Sequence, residues 1–193
     1  MQIVLASASP RRAQLLGALE IPFTVQPSKA PEPPPTSEDA ANPGAYVERL
    51  ARLKAGSIPS ESLVLAADTI VVLGGEILGK PLDSADARAM LAKMRGQTHQ
   101  VFTGVCLRRG DQTQSAHEIT RVTFGEFSDE FIAAYVQTDE PLDKAGSYGA
   151  QGRGALLVSR IEGDYWNVVG LPLFRLSRML REFGVEIAGF WSK

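Results

Sequence analysis

A carboxylate that interrupts an apolar run is the first residue in this sequence whose type and place could do chemistry. Asp68 stands inside the segment 63–73, where every other residue except Thr69 is aliphatic. Burying a carboxylate is costly unless it is paired or binds a metal ion. We therefore interpret Asp68 as a functional residue. The alternative is a carboxylate at a strand end that accepts hydrogen bonds from nearby backbone amides.

A predicted strand-to-helix turn near the start supplies groups that could bind an anion. The apolar segment 3–6 is typical of a buried strand, and the residues Ser-Ala-Ser-Pro-Arg-Arg follow at 7–12. Ser9 is suited to the N-cap of a helix, where free amides attract anions. Arg11 and Arg12 oppose the helix dipole there, which suggests that an anion lies among them. Two solvated surface arginines are an equally weighted alternative.

Lys54 lies at the end of a helix that the Asn42-Pro43 pair predicts to begin at 43 and to run to about 55. It falls on the same stripe as the apolar residues at 47, 50 and 51, which predicts an inward position. A lysine that extends its charged end to solvent at a helix terminus is the common alternative.

Lys80 ends the segment 74–80, whose spacing matches a phosphate-binding P-loop. A P-loop requires Ser or Thr after the lysine and then a helix, whereas Pro81 follows here. The segment is instead predicted to be a hairpin with its turn at Gly74-Gly75, so that Lys80 approaches phosphates from a strand end.

A glycine-dense loop spans 146–154 and contains Gln151. Glycines permit a close approach of backbone to ligand, and an amide side chain can both donate to and accept from a base edge. On the loop alone, a flexible hairpin connection is the favoured interpretation.

The elements that position these residues alternate between strands and helices and include several hairpins, which favours an α/β fold with a mixed sheet. Strands are predicted at 3–6, 63–67, 70–73, 76–78, 97–107, 118–124, 156–161 and 166–169, the last two paired across Gly163-Asp164. Helices are predicted at about 10–19 and 43–55, from a cap at Ser84 to near Gly96, from Ser128 to about 136, and at about 173–183. The proline-rich stretch 27–36 is expected to be extended.

Composition limits the classes of partner. The chain has 193 residues and a formal net charge of −2, which argues against a nucleic acid polymer as partner. Its one cysteine, Cys106, forms no disulfide within a monomer, as expected in a reducing compartment. The sequence shows neither a signal peptide nor an apolar run long enough to span a membrane, so we expect a cytoplasmic location and no membrane partner.

Taken in order, these segments resemble the Maf family of nucleotide pyrophosphatases over nearly the whole chain. The motifs that carry the resemblance lie at 7–12, 49–55, 67–69, 79–81, 96–101, 143–146, 148–154 and 167–172. The resemblance implies a single domain over 1–193, with a mixed twisted sheet in two lobes around a central cleft, as in inosine triphosphate pyrophosphatases. It implies a nucleoside triphosphate substrate that is hydrolysed to the monophosphate and pyrophosphate, and it leaves a homodimer open.

The resemblance also assigns roles to individual residues. It makes Asp68 the catalytic acidic residue and places Lys54 and Lys80 at the phosphates. Ser7, Ser9, Arg11, Arg12, Thr69 and Gln151 would bind substrate, with Arg12, Thr69 and Gln151 shaping base specificity as in the branch that acts on dTTP and UTP. Two alternatives stay open, namely a pyrophosphatase for 7-methyl-GTP or a modified nucleotide, and a nucleotide-sensing regulator of cell division.

A divalent metal, Mg²⁺ or Mn²⁺, is implied as well. The family often has an Asp-Glu pair after the first helix, and we place Glu32 at the glutamate of that pair. Pro31 stands where the aspartate would be, so this chain departs from the pattern. Asp68 and Glu32 are the expected metal ligands.

Overall fold

The computed structural model describes residues 2–191, and over this range it shows a seven-stranded mixed sheet. The strands are β1 (Ile3–Leu5), β2 (Phe23–Val25), β3 (Leu63–Leu73), β4 (Glu76–Leu78), β5 (Thr98–Arg109), β6 (Gln112–Phe124) and β7 (Val158–Glu162). Their order is β2-β1-β3-β5-β6-β7, with β4 paired to β3. β1 runs parallel to β2 and β3, and the other pairs are antiparallel. The predicted mixed sheet is confirmed.

The helices follow the cap signals of the sequence closely. They are α1 (Pro10–Ala18), α2 (Ser37–Ala41), α3 (Pro43–Gly56), α4 (Ser84–Met94), α5 (Asp129–Val136), α6 (Tyr165–Val169) and α7 (Leu173–Glu182). The Asn42 side chain caps α3 as predicted, and α5 begins at the predicted place, where the Ser128 side chain caps it. The cap of α4 is Asp83 and not Ser84, because the Asp83 carboxylate accepts from the two amides that follow it by two and three residues.

The two predicted strands on either side of Asp68 are one continuous strand. Asp68 pairs with Gly104 and Thr69 with Thr103, within an unbroken antiparallel register between β3 and β5. The prediction of a break was wrong because Asp68 and Thr69 keep extended backbone and pair like their apolar neighbours. Asp68 is therefore fixed in mid-strand.

The predicted strand 166–169 is also wrong, since these residues belong to α6. The Asp164 side chain accepts a hydrogen bond from the Trp166 amide at 2.7 Å, which starts the helix. Gly170, with φ at 114°, ends it in the left-handed region. Its expected partner, β7, pairs with β6 instead, with Arg121 opposite Glu162.

Two large hydrophobic cores lie at different parts of the sheet. One joins β1, α1 and α7, with members such as Leu5, Leu16 and Leu176. The other joins α4, α5 and the far end of β3, with members such as Leu91 and Ile132. The predicted two-lobed arrangement is thus confirmed, and the segments between the cores are free to form a cleft. Among residues 2–191, no helix has the length and apolar character needed to cross a membrane.

Gly104 allows α3 to lie directly on β5. A Cβ at this position would lie 2.4 Å from the Val47 carbonyl carbon and 2.7 Å from the Glu48 amide nitrogen. Both obstacles are backbone atoms, which cannot rotate away. The absence of a side chain at Gly104 therefore sets the distance between the sheet and the helix that carries Lys54.

We expect Gly104→Ala to destabilise the protein by about 1–3 kcal/mol, because the new methyl group overpacks the contact with the α3 backbone. Urea unfolding would measure the loss. Gly125→Ala is the matched control, since the nearest atom to its new Cβ would be the Ser159 Cβ at an ordinary 3.9 Å. Equal stability of the two variants would contradict the prediction.

His99 lies among aromatic rings below the glycine-dense loop. It is 1% exposed, its Nε2 lies 2.8 Å from the Tyr148 hydroxyl, and its ring packs edge-on against Phe124. Its Nδ1 has no hydrogen-bond partner among the residues described. Burial lowers the pKa of His99 to about 4. The histidine is thus a neutral core residue at neutral pH.

This burial predicts a pH-dependent stability. An unfolded histidine has a pKa of about 6.5, so between pH 6.5 and 4 the unfolded state binds more protons than the folded state and stability falls as pH falls. The full effect is about 3 kcal/mol. His99→Gln should lose less stability than wild type across this window when both are unfolded in urea at pH 7, 5.5 and 4.5. His117→Gln, at a more exposed histidine, is the control and should keep the part of the pH dependence that comes from His99. If the stability of wild type and that of His99→Gln changed with pH in parallel, the prediction would be refuted.

Candidate functional site

A cleft of about 760 Å³ opens between the two cores, over the middle of β3. The turn from β1 into α1 forms one wall, and the segments at 143–145 and 148–151 form another. All of the site residues predicted from the sequence line this cleft, namely Ser7, Ser9, Arg11, Arg12, Glu32, Lys54, Asp68, Thr69, Lys80 and Gln151. The fold therefore brings together residues that are far apart in the chain.

Asp68 and Lys54 form the central ion pair of the cleft. Asp68 is 8% exposed, and its Oδ1 accepts a hydrogen bond from Lys54 Nζ at 2.5 Å. The same ammonium lies 3.0 Å from Oε1 of Glu32, in the proline-rich segment. Asp68 is therefore compensated by a cation rather than by backbone amides, and Lys54 points inward rather than to solvent. One ammonium holds both predicted metal ligands near one point.

Arg12 is a buried part of the cleft wall and not a solvated surface residue. Its Nε donates to the Gly170 carbonyl at 2.8 Å, Nη1 to Ser7 Oγ at 3.0 Å and Nη2 to Thr69 Oγ1 at 3.1 Å. Burial lowers the pKa of Arg12 below its usual value, while the negative charge of Asp68 acts in the opposite direction. Ser9 stands at the N-cap position of α1, but its hydroxyl makes no capping hydrogen bond.

A chain of buried hydroxyl groups fixes Thr69 behind Arg12. The Thr103 hydroxyl donates to the Asn167 carbonyl at 2.9 Å, so its oxygen accepts from Thr69, also at 2.9 Å. Thr69 has then used its only proton and is left as an acceptor for Arg12. Neither Thr103 nor Asn167 was predicted from the sequence. The sequence feature that could have pointed to them is Thr103 itself, a polar residue within the apolar stretch of β5.

We expect Thr103→Val to lower stability by about 1–3 kcal/mol, because it leaves the buried backbone carbonyl of Asn167 without the donor that Thr103 supplies. Urea unfolding measures the effect. Thr98→Val on the same strand is the matched control, since the Thr98 hydroxyl bonds that of Thr123 at an exposed position. The control should change stability by less than about 0.5 kcal/mol. Equal losses in the two variants would show that the Thr103 hydroxyl is not structural.

Charged groups at the rim complete the site. Arg11 Nη1 lies 3.4 Å and Lys144 Nζ 2.5 Å from the two oxygens of Asp143. Burial acts to raise the pKa of Asp143, but the hydrogen bond and charge of Lys144 outweigh it and lower the pKa. Lys80 and Gln151 are exposed, and neither side chain has a hydrogen bond or ion pair with the residues described. Both are therefore free to meet a ligand.

The oxygen donors in the cleft suit a hard divalent cation. Within residues 2–191 there is no group of three or more His, Cys, Asp or Glu side chains that could hold a metal ion by itself. Asp68 and Glu32 supply two carboxylates, and Mg²⁺ typically uses one or two carboxylates together with substrate phosphates and water. The residues present thus fit a metal that is bound jointly with a phosphate ligand.

Comparison with known proteins shows the family to which the chain belongs. The family described as "Maf-like protein" matches residues 2–183. A dTTP/UTP pyrophosphatase of Symbiobacterium thermophilum is 51% identical over 189 residues, which cover 96% of each chain. Another, of Moorella thermoacetica, is 50% identical over 193 residues, covering 97% of this chain and 98% of that one.

Among solved structures, a HAM1 protein from Coxiella burnetii matches with a TM-score of 0.54 and 15% identity. The match covers 94% of this chain and 99% of that chain. At this identity the likeness concerns the fold alone, and it confirms the predicted α/β fold.

Proposed function

Since the chain belongs to the Maf family, we propose that it hydrolyses dTTP and UTP to the nucleoside monophosphate and pyrophosphate. It does so as one domain over 1–193, of which residues 1, 192 and 193 lie outside the described range. The observation that carries the chemistry is the buried Asp68–Lys54 pair at the centre of a cleft with cations on several sides. Relatives of this chain that are about half identical to it supply the nature of the substrate.

The cations of the cleft would bind the triphosphate. Arg11 and Lys80 lie near solvent, and Lys54 lies deeper beside Asp68. Hydrolysis of an anhydride develops negative charge on the leaving pyrophosphate, and cations held in place stabilise this charge without reorganising. The Lys80 side chain forms no ion pair with the described residues, so it can bind phosphate without breaking one.

Asp68 is the proposed proton acceptor. It would take a proton from the attacking water, whose oxygen forms a bond to the α-phosphorus while the bond to the bridging oxygen breaks and pyrophosphate leaves with that electron pair. Lys54 holds the Asp68 carboxylate at 2.5 Å and so fixes its orientation. General bases of this kind typically contribute about 10²–10⁴-fold in rate.

Asp68 and Glu32 are the residues that would hold Mg²⁺ or Mn²⁺. Such an ion, when bound, neutralises phosphate charge. The support for this is their shared contact with Lys54, which places two carboxylates beside the proposed phosphate site.

Base selection would be divided between fixed and free groups. Arg12 spends its guanidinium on protein acceptors, so its proposed part is to hold Thr69 in place. The Gln151 amide is free and can donate to the O4 of thymine or uracil while it accepts from the neighbouring N3–H. Cytosine presents an amino group in place of O4 and an acceptor at N3, so it is disfavoured for this orientation of the Gln151 amide. This pattern accounts for a shared preference for dTTP and UTP.

The proposal is tested by pyrophosphate release from dTTP, UTP, CTP, GTP and 7-methyl-GTP with Mg²⁺ or Mn²⁺. Wild type should turn over dTTP and UTP fastest, and Asp68→Asn should lower kcat by at least about 100-fold, because the proton acceptor is lost. Asp111→Asn, at an exposed turn outside the cleft, is the control and should leave kcat unchanged.

Other outcomes point elsewhere. Full activity of Asp68→Asn would refute the role of this residue. A preference for 7-methyl-GTP would move the chain to the other branch of specificity. Nucleotide binding by wild type without pyrophosphate release under any of these conditions would favour the regulatory alternative.

A further inference from the structure

Glu140 and Tyr135 bind both ends of the loop that carries Gln151, although neither residue lines the cleft. Oε1 of Glu140 accepts from the Gly154 amide and from the Tyr135 hydroxyl, each at 3.0 Å. Oε2 accepts from the Arg153 amide at 3.2 Å. At the other end of the loop, the Gly149 amide donates to the Tyr135 oxygen at 3.2 Å.

These contacts form what we call the clamp, namely the Glu140 carboxylate, the Tyr135 hydroxyl and the three amides that they accept from. The clamp closes the loop into an arch, with Gln151 between its two fixed ends. Hydrogen bonds from amides to a charged carboxylate are stronger than those between neutral groups. The clamp is therefore able to define the path of the loop backbone.

The fit of the loop against the clamp is tight at its glycines. A Cβ at Gly154 would lie 2.5 Å from the Tyr135 hydroxyl and 2.4 Å from the Gly149 carbonyl oxygen. Gly152 has φ at +70°, and a Cβ there would lie 3.0 Å from Oε2 of Glu140. Glycine is thus required where the loop meets the clamp, which explains the glycine density that the sequence alone left as a flexible connection.

The Tyr135 hydroxyl acts as donor and acceptor at once within the clamp. Burial raises the pKa of the Tyr135 phenol, so the hydroxyl stays protonated. It donates its proton to Glu140 and has its oxygen free to accept from Gly149. The turn that carries Glu140 is held in addition by Lys144, whose Nζ donates to the Glu140 carbonyl at 2.5 Å.

We propose that Glu140 and Tyr135 are positioning residues that determine base selectivity by fixing the backbone on either side of Gln151. The inference rests on the proposed function, in which Gln151 reads the base. Its physical basis is that the Gln151 side chain has no hydrogen bond with any other described residue. The backbone therefore sets where the Gln151 side chain leaves the loop, and the clamp sets the course of that backbone.

The experiment compares Glu140→Ala, Glu140→Gln, Tyr135→Phe and Gln151→Ala with wild type in two measurements. The first is hydrogen exchange at the amides of Gly149, Arg153 and Gly154. The second is selectivity, taken as the ratio of kcat/KM for dTTP over dCTP. Glu118→Gln is the matched control, because it removes a partly buried carboxylate that pairs with Arg175 outside the cleft.

In Glu140→Ala we expect exchange at Arg153 and Gly154, whose amides lose their carboxylate acceptor, to accelerate at least about 10-fold, as for amides that open locally. Selectivity should fall by about 10-fold through a higher KM for dTTP, with kcat within about 3-fold of wild type, because the reacting groups are untouched. Gln151→Ala should lose the same selectivity without faster exchange. The Glu118→Gln control should change neither measurement.

Glu140→Gln and Tyr135→Phe each remove only part of the clamp, and they test the inference if Glu140→Ala does not fold. Glu140→Gln keeps an oxygen for Gly154 and Tyr135 but turns an NH₂ donor towards the Arg153 amide, so only exchange at Arg153 should accelerate. Tyr135→Phe removes the acceptor for Gly149, so exchange should accelerate at that end of the loop.

Unchanged exchange at Arg153 and Gly154 in Glu140→Ala would overturn the inference, and so would faster exchange with unchanged selectivity. Unchanged selectivity in Gln151→Ala would overturn it as well, by removing the base-reading role on which it rests. An inactive wild type would contradict only the proposed hydrolysis. In that case the exchange rates and the ratio of Kd values for dTTP and dCTP would still decide on the clamp.

Discussion

Asp68 lies in the middle of β3, 8% exposed, with the Lys54 ammonium 2.5 Å from its Oδ1. A carboxylate in such a place must be matched by a cation, since its burial unpaired would cost several kcal/mol. The cation comes from the end of α3, and it arrives there because Gly104 lets that helix rest on the backbone of β5. The ion pair in the cleft thus depends on the close packing of α3 against β5.

The neighbouring residue on β3 anchors the other wall. Thr69 is held by Thr103 and in turn accepts from Arg12, whose remaining donors are taken by Ser7 and the Gly170 carbonyl. The groups next to the proposed reacting atoms are therefore fixed by the protein. Groups nearer the rim have fewer partners. Phosphoryl transfer depends chiefly on position and charge, so this division suits the proposed chemistry.

Local patterns in the sequence were sufficient for features with a local cause. Asp68 stood out as a charge in an apolar run, and Asn42 and Ser128 marked helix starts because capping involves residues only three apart. The segment 166–169 was misjudged because its residue types favour a strand, while Asp164 and Gly170 on its flanks decide for a helix. The partnership of Thr103 with Asn167 spans 64 residues. Only the fold brings such groups together, so no local pattern could reveal it.

The residue proposed for catalysis and the residue proposed for base selection lie on different kinds of element. Asp68 and Thr69 pair with Gly104 and Thr103 of β5, within an unbroken register that leaves them little freedom to move. Gln151 belongs to a loop that is fixed mainly where the clamp holds it, and loops tolerate change better than the strands that they connect. Under the proposed function, a change within the loop can therefore alter the base that is read without disturbing the ion pair on β3. A change at Gly104 or Thr103, by contrast, would disturb the site through the sheet whatever base was bound.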